Sequence, residues 1–377
     1  MERVLVTKAG VDGVRVGDVE VAVQQVDAHG WTLRSGRRRP EVGSSEDEAS
    51  GVGVRAVRTV DGVFEVVEVP EPDGDGVLVE VASAGICGSD LHVAGFGLPT
   101  TFGHEVAGRT TDGTTVAVRP TRTCGSCDRC LVGEVQQCRD MALYGFAMDG
   151  GMADRLRVDP ACVLDLPDGL SVADACLVEP VAVSVHAVAS AGVESGHRVL
   201  VVGGGTIGLT AVAVARSVGA DVDMSARHAH QVAAAERLGA GVAPSGEYDV
   251  VVEAAGTESA LVLAIDHARP GGTVSLPGVY WDGLALPNVM TMFLKEVRLV
   301  PSSMYGCARG VHAHGVGSIG QDADPAGELH AAARLLADEP ELAAAVVTHR
   351  FGLDEAAEAF RVAACRSAGA IKVVLEP

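Results

Sequence analysis

The chain has 377 residues, of which 47% are hydrophobic, and its formal net charge is −21. This length exceeds one ordinary domain and supplies enough apolar side chains for two hydrophobic cores. The negative charge argues against nucleic acid and anionic membranes as partners, because phosphate recognition needs clustered Lys and Arg. The sequence shows no signal-peptide core and no 18-residue apolar run, which favours a cytoplasmic protein.

Residues 1–53 differ in composition from the rest of the chain. The stretch from Ser35 to Ser50 is rich in Gly, Ser, Arg and Glu and offers almost nothing to bury. This composition is typical of a disordered linker. Before it, Val14 to Leu33 carries alternating valines that could pair weakly as strands. We predict a partly disordered extension and assign it no function.

Short alternating runs from Val54 onward, such as 63–69 and 76–82, predict an antiparallel β domain. They lead to Cys87 and His104, which both lie on glycine-flanked loops at predicted strand ends. Cysteine and histidine in such positions are plausible zinc ligands. For either residue alone, a buried structural cysteine or a surface histidine is the simpler interpretation.

A cluster of four cysteines is the most specific motif in the chain. Three follow one another at C-x2-C-x2-C spacing and the fourth closes the motif after seven residues: Cys124, Cys127, Cys130 and Cys138. This spacing gathers four sulfurs around one ion and leaves no open position, which is typical of structural zinc. Two cysteines with only two residues between them are too close to form an unstrained disulfide with each other. The motif therefore predicts a structural zinc site.

A dinucleotide-binding loop is predicted where an apolar strand, 199–202, runs into a G-x-G-x-x-G motif. The three glycines are Gly203, Gly205 and Gly208. The Ala/Val-rich residues 209–218 predict a helix that ends at Gly219. Such a strand, loop and helix point backbone N–H groups at an incoming pyrophosphate. A plain strand-turn-helix is the alternative.

Later apolar runs at 248–256 and 271–278 predict further parallel strands of the same sheet. A helix is predicted for 328–336 and a final strand for 369–375. Tyr280 and Trp281 either line a substrate cleft or belong to the core. The isolated cysteines are expected in the core: Cys162, Cys307 and Cys365.

The cofactor preference is predicted from the strand 220–225. In the register of the family that the motifs described below resemble, a carboxylate that binds the adenosine ribose would fall at position 226, which is alanine. Asp223 lies mid-strand and should not reach the ribose. Arg227, with Ser225 as a hydroxyl donor, suits a 2′-phosphate. The sequence therefore predicts NADP(H) over NAD(H), unless Arg227 is only a solvated turn residue.

Five ordered motifs resemble the zinc-dependent medium-chain alcohol and polyol dehydrogenases, over about residues 54 to 377. They are residues 85–92, residues 103–105, the four-cysteine motif, Glu179-Pro180 and the glycine loop. The resemblance implies an α/β fold with a GroES-like antiparallel β domain and a doubly wound Rossmann domain. We place the GroES-like domain at 54–180 and 306–377, with a zinc lobe at 124–138, and the Rossmann domain at 181–305.

The same resemblance implies a catalytic zinc held by Cys87, His104 and Glu179. Cys176 is a less favoured competitor for the third position, and Glu105 is either an outer carboxylate or an exchangeable ligand. An open fourth position would take the substrate oxygen.

The resemblance also assigns roles to residues beside the ligands. Ser89 would accept the alcohol proton and pass it through the cofactor ribose to His92. Asp90 is either a partner that orients His104 or a loop-capping residue.

Further cofactor contacts are implied at Thr206 and Ile207 in the glycine loop, at Val279 beside the nicotinamide, and at Lys372. An ordinary strand lysine is the alternative for Lys372. The Glu179-Pro180 pair is characteristic of the polyol, sugar and threonine branch of the family, which favours a secondary hydroxyl on a polar substrate.

We therefore expect an oxidoreductase that transfers a hydride between a secondary alcohol or polyol and NADP(H), working as a dimer or tetramer. Two alternatives remain: an aldehyde reductase or biosynthetic tailoring dehydrogenase of the same fold, and a non-catalytic nucleotide-binding protein.

Overall fold

The computed structural model of the protein describes residues 15–16, 19–20, 53–60, 62–281, 283–286, 288–306 and 326–377. The chain divides into two compact units, Met1–Ser50 and Gly51–Pro377. In the first unit, β1 (Arg15–Val16) and β2 (Val19–Glu20) form an antiparallel pair. The predicted linker at 35–50 lies outside the described residues.

The second unit contains the remaining strands. In chain order they are β3 (Val54–Val60), β4 (Val63–Val69), β5 (Val77–Ile86), β6 (Glu105–Thr110), β7 (Thr115–Val118), β8 (Thr121–Arg122), β9 (Ala142–Leu143), β10 (Arg155–Val158), β11 (Val163–Asp165), β12 (Arg198–Val202), β13 (Asp221–Ser225), β14 (Tyr248–Glu253), β15 (Ala268–Leu276), β16 (Arg298–Pro301), β17 (Val347–Gly352) and β18 (Lys372–Glu376).

The described α-helices are α1 (Gly88–Val93), α2 (Asp128–Leu131), α3 (Val178–Ser190), α4 (Thr206–Ser217), α5 (Ala229–Arg237), α6 (Glu258–His267), α7 (Val289–Lys295), α8 (Gly327–Asp338), α9 (Pro340–Val346) and α10 (Ala356–Ala364). Short 3-10 turns lie at Ala94–Phe96, Val135–Gln137, Pro160–Cys162, Ala175–Leu177, Leu353–Glu355 and Arg366–Ala368. Within the described residues, no helix has the length and apolar character needed to cross a membrane.

One sheet has seven strands in the order β11-β7-β6-β5-β18-β17, with β10 pairing β5. Its pairs are antiparallel except β17 with β18, which run parallel. The antiparallel β domain expected from the alternating runs is thus confirmed, with one parallel pair added where the chain returns to this sheet. The hairpin β3-β4 and the antiparallel pair β8-β9, whose strands flank the four-cysteine motif, form two separate two-stranded sheets.

The other large sheet has five parallel strands in the order β13-β12-β14-β15-β16. Its valine-rich central strands are fully buried, as expected for a parallel sheet covered by helices on both faces. The strand order reverses between β12 and β14, so a crevice opens at the carboxyl end of β12. Ligands of doubly wound sheets bind at such a switch point.

Helix α4 extends the predicted helix by three residues at its start, and its end agrees with the glycine signal, since Gly219 has a φ of 94°. Small residues let α3 and α4 pack closely, and both bury Ala and Val side chains in one core. A second core fills the space between the seven-stranded sheet and α10. The fold class predicted from the sequence is confirmed, whereas the exact domain limits stay a prediction.

Candidate active site

Cys87 stands at the end of β5, directly before α1, and Asp90 fixes its backbone. The amide of Cys87 donates to Asp90 Oδ2 at 2.9 Å, and the amide of Asp90 donates to the carbonyl of Cys87 at 3.2 Å. Asp90 is fully buried. The first turn of α1 therefore holds the thiol in one position at the strand end.

A three-residue group of potential metal ligands forms at this point. The ligand atoms of Cys87, His104 and Glu105 all lie within 4.8 Å of one another. His104 and Glu105 are buried at the start of β6, which pairs with β5. A methyl group at Gly85 would stand 2.0 Å from Glu105 Oε2, so only glycine leaves room for this carboxylate. The donor set of thiolate, imidazole and carboxylate fits zinc.

Asp90 also faces His104. Its Oδ1 lies 3.4 Å from His104 Nδ1, and neither atom has another hydrogen-bond partner among the described residues. Burial lowers the pKa of His104, but the charges of Asp90 and Cys87 outweigh it and hold that pKa well above the usual value. A metal ion bound to the imidazole would replace this proton. The placement of Asp90 fits a residue that orients a metal-binding histidine.

Lys372 has a partner that the sequence did not suggest. Its ammonium group lies 2.6 Å and 2.7 Å from the two oxygens of Glu105 and donates to the carbonyl of Ile86 at 2.9 Å. Lys372 is 2% exposed. The cofactor contact expected of Lys372 stays a prediction, while the observed contact neutralises the carboxylate of the metal-ligand group.

Glu179 opens α3 and is partly buried. Burial raises its pKa to about 7, while the nearby His104 lowers it and Glu105 raises it. Glu179 is thus close to the ligand group but is not one of the three residues within 4.8 Å. Cys176 is fully buried, and burial raises the pKa of its thiol to about 12, which disfavours the thiolate that a metal needs. The ligand role of Glu179 stays a prediction.

Ser89 and His92 lie on α1, three residues apart. Ser89 is partly buried and His92 is exposed. The Nδ1 of His92 lies 2.7 Å from the carbonyl of Gly88, which can only accept, so Nδ1 is the donor of this bond and Nε2 is left for other partners. The ring of His92 stacks on Trp281 at 4.6 Å. Trp281 also packs against the core of the seven-stranded sheet, so both positions that the sequence left open for it stay predictions.

The carboxyl end of β14 carries a buried acid that the sequence analysis missed. Glu253 accepts from the amides of Ala255 and Gly256 at 2.8 Å and 2.9 Å, and the hydroxyl of Tyr280 donates to its other oxygen. These bonds join the loops after β14 and β15. The sequence signal for Glu253 was an acidic residue at the end of an apolar strand. Its hydrogen-bond partners in the two loops could not be predicted, because they depend on the fold.

The four cysteines of the predicted zinc lobe meet in space. The sulfurs of Cys124 and Cys130 are 4.0 Å apart, and those of Cys124 and Cys138 are 3.6 Å apart. Tetrahedral zinc with bonds of about 2.3 Å separates its sulfurs by about 3.8 Å. Backbone amides of Ser126 and Cys127 lower the pKa of Cys124 to about 6, whereas burial raises the pKa of Cys130 to about 12. The residues fit a closed structural zinc site.

The glycine loop connects β12 to α4 at the switch point of the parallel sheet. Gly205 is the residue before the helix, and no side chain caps the free amides there. A methyl group at Gly205 would meet no protein atom within 4 Å, whereas one at Gly208 would lie 1.7 Å from the carbonyl oxygen of Gly203. The loop thus combines an open anion-binding face with a tightly packed inner face, which fits a pyrophosphate.

The start of α4 touches the strand that carries Lys372. The hydroxyl of Thr206 donates to the carbonyl of Ile371 at 3.1 Å, and Ile207 accepts through its carbonyl from Ser184. The predicted cofactor residue Val279 is 59% exposed. Because Ile371 precedes Lys372, two consecutive residues join the glycine loop to the metal-ligand group.

The end of β13 is the place where the sequence predicts the adenosine end of the cofactor. Asp223 is mid-strand, and its carboxylate accepts from the hydroxyl of Tyr248 at 2.6 Å, so it does not turn toward the loop. A methyl group added at Gly204 would lie 2.8 Å from the methyl group of Ala226, so position 226 lies against the glycine loop. Arg227 is exposed and Ser225 partly buried beside it. The sequence analysis did not consider His228 and His230, which stack 5.5 Å apart just beyond.

The isolated cysteines divide into different environments. Cys162 is buried as predicted, at 1% exposure. The core position predicted for Cys365 is wrong: it lies partly exposed at the end of α10, with its sulfur 3.2 Å from the Ser367 hydroxyl. The helix ends there, so the side chain has no core to enter. Cys307 lies outside the described residues.

Comparisons with known proteins agree with these features. Residues 73–168 match the model of the alcohol dehydrogenase GroES-like domain. The chain is 34% identical to an L-galactonate-5-dehydrogenase of Escherichia coli over 250 residues, which cover 58% of this chain and 73% of that protein.

Two solved structures resemble this one over 86% of the chain and the whole of their own length, each at 28% identity. One is galactitol-1-phosphate dehydrogenase of Escherichia coli, with a TM-score of 0.74. The other is a zinc-binding dehydrogenase of Sinorhizobium meliloti bound to NADP, with a TM-score of 0.73.

Proposed function

Because the chain belongs to the zinc-dependent medium-chain alcohol and polyol dehydrogenases, we propose that it transfers a hydride between a secondary hydroxyl of a polyol-type substrate and NADP(H). The observation that carries this proposal is the link through Ile371 and Lys372, which joins the glycine loop to the group of Cys87, His104 and Glu105. A cofactor held by the loop and a substrate oxygen at the metal site would then be neighbours.

Cys87, His104 and Glu105 are the residues we assign to the catalytic zinc, with Glu179 close enough to join them or to act through a water. When bound, the zinc would serve as a Lewis acid for the substrate oxygen. Asp90 keeps the imidazole of His104 oriented, and Lys372 balances the charge of Glu105. The chain thus supplies a positioned, partly neutralised ligand set.

Ser89 and His92 provide the proposed route for the alcohol proton. Ser89 is partly buried next to Cys87 and would take that proton, and His92 lies one helical turn further out at the surface. Because Nδ1 of His92 already donates to Gly88, its Nε2 is the atom that would exchange the proton with water. Trp281 stacks on the ring and holds it at the cleft edge.

The preference for NADP(H) is proposed from residues 225–227. Position 226 faces the glycine loop but carries no carboxylate, and the guanidinium of Arg227 forms no ion pair or hydrogen bond with any described residue. A free guanidinium at this position suits a 2′-phosphate.

We expect Arg227→Ala to lower kcat/KM for NADP+ by about 10- to 100-fold, the worth of one charged hydrogen bond, and to leave NAD+ within about 3-fold. Steady-state kinetics with both cofactors measure this. Arg237→Ala is the matched control, because Arg237 is another exposed arginine of this lobe and is paired with Glu341. A wild-type enzyme that favours NAD+, or equal losses for both cofactors, would contradict the assignment.

The function itself is tested with zinc-loaded protein and a panel of secondary alcohols, polyols, sugars and aldehydes, each with NADP+ or NADPH and with NAD+ or NADH. We expect polyol-type substrates to show the highest turnover by absorbance at 340 nm. Turnover confined to aldehydes would replace the proposal with an aldehyde reductase. Cofactor binding without turnover of any substrate would favour a nucleotide-binding protein.

Assembly into a dimer or tetramer is also part of the proposal. Helix α7 exposes Met290, Phe293 and Leu294 to between 68% and 72%. Strand β16 ends the parallel sheet with an unpaired edge among the described strands. Exposed apolar side chains beside a free edge are typical of a surface that another chain covers.

A further inference from the structure

Arg119 is a buried cation directly after β7, the strand that pairs with β6, where Glu105 lies. Strands β6 and β7 pair antiparallel with Val106 opposite Val118, so the next residues along, Glu105 and Arg119, also lie opposite each other. Opposed residues of such a pair present their side chains on the same face of the sheet. Arg119 is 6% exposed.

No carboxylate neutralises this guanidinium among the described residues. Glu105, its neighbour across the strands, is paired with Lys372 instead, and Arg119 Nε is buried without a hydrogen-bond partner. On its other side, the amide of Arg119 donates to the carbonyl of Cys162 at 2.7 Å. Burial raises the pKa of the Cys162 thiol, and a hydrogen bond with the Arg119 side chain lowers it only in part, so this sulfur is a neutral partner that offers no counter-charge. Buried charges are normally paired, because an unpaired one is costly.

A second polar group without a partner is buried in the same region. Tyr305 is 2% exposed, and its hydroxyl has no hydrogen-bond partner among the described residues. Its side chain shares a core cluster with Ala117, two residues before Arg119 and on the same face of β7. Glu179 raises and Arg119 lowers the pKa of this hydroxyl, so both charges lie near it. The corner therefore contains a buried cation that no described carboxylate neutralises, with a buried hydroxyl near it.

We propose that Arg119 binds an anionic group of the substrate, a carboxylate or a phosphate, so that the enzyme acts on hydroxy acids or phosphorylated polyols in preference to neutral polyols. This rests on the proposed function, since it assigns the substrate class of that same site. A guanidinium matches the two oxygens of either anion through parallel hydrogen bonds. Two of the similar proteins are named for L-galactonate and galactitol 1-phosphate, which carry these two anionic groups.

The test compares substrates that differ only at one end. Galactitol, sorbitol and iditol are each assayed as the neutral hexitol, as the corresponding hexonate and as the 1-phosphate. We expect kcat/KM to be at least about 30-fold higher for one anionic series than for the neutral one, because a buried ion pair discriminates strongly. The better of the two anionic series identifies the carboxylate or the phosphate as the recognised group.

Arg119→Gln should lower kcat/KM for the preferred anionic series by roughly 100-fold and for the neutral hexitols by less than about 3-fold. Arg119→Lys, which keeps the charge but not the planar fork, should lose less. Arg122→Gln removes an exposed arginine three residues away and should change neither series. Equal losses in both series, or a wild-type preference for neutral hexitols, would overturn the proposal.

Binding separates this inference from the proposed function. Isothermal titration calorimetry of L-galactonate and galactitol 1-phosphate measures affinity whether or not turnover occurs, and unfolding temperature and zinc content report whether Arg119→Gln folds. Binding that is lost in Arg119→Gln but kept in Arg119→Lys would support the anion site even if no substrate reacts. Tight binding that Arg119→Gln leaves unchanged would refute it even in an active enzyme.

Discussion

Cys87→Ala is expected to lower kcat by on the order of 10³-fold or more, because Cys87 would hold the proposed catalytic zinc, whose Lewis acidity would supply several kcal/mol of transition-state stabilisation. The thiol is one of three ligand atoms within 4.8 Å and is held by the first turn of α1. The zinc content of the purified variant should fall from about two ions per chain to about one, since the four-cysteine site is separate.

Cys365→Ala is the matched control for this variant. Its thiol is partly exposed and lies 3.2 Å from the Ser367 hydroxyl, away from both groups of zinc-type ligands, so activity and both zinc ions should remain. Zinc content by atomic emission and initial rates at 340 nm measure both variants. Wild-type turnover in Cys87→Ala would remove Cys87 from the catalytic ligand set.

Alanine substitutions at Gly208 and Gly205 of the cofactor loop should affect different properties: the first should lower stability, and the second should lower cofactor affinity. In Gly208→Ala the new methyl would lie 1.7 Å from the carbonyl oxygen of Gly203, so the loop and α4 must move apart. We expect a loss of about 3 kcal/mol or more in the free energy of unfolding, and a fall in Tm of roughly 5 to 10 °C. Differential scanning calorimetry of the variant measures this.

Gly205→Ala is the companion variant, because its methyl meets no protein atom within 4 Å and its φ of −79° suits alanine. The fold should keep its Tm within about 2 °C. Cofactor affinity should fall by at least about 10-fold, since the methyl would occupy the space through which the backbone approaches the pyrophosphate. Unchanged affinity by fluorescence titration would mean that the loop does not hold the cofactor.

Features set by short stretches of chain were predictable from the sequence. The spacing of Cys124 to Cys138 confines four sulfurs to one small lobe, whatever the rest of the chain does. Similarly, the apolar strand and glycines at 199–208 define a local strand, loop and helix. Counting along β13 also placed Asp223 in the middle of the strand, where its carboxylate accepts from the hydroxyl of Tyr248.

Contacts between distant segments were not predictable in the same way. Lys372 and Glu105 are 267 positions apart, and their ion pair exists because β18 and β6 flank β5 in one sheet. The choice between Glu105 and Glu179 as neighbours of Cys87 depended on the same strand order. Nothing in the sequence indicated that Cys365 would be partly exposed, because its burial depends on where α10 ends relative to the elements packed around it.

The sequence by itself determined the kinds of chemistry available here: a closed thiolate site, a second set of zinc-type donors, and a glycine loop for a dinucleotide. Only the tertiary structure decided which donors meet, that Lys372 neutralises Glu105, and that Arg119 is buried on the neighbouring strand with no acidic partner among the described residues. The physical reason is that spacing along the chain fixes short-range geometry. Charge pairing and burial depend instead on which strands become neighbours when the sheet forms.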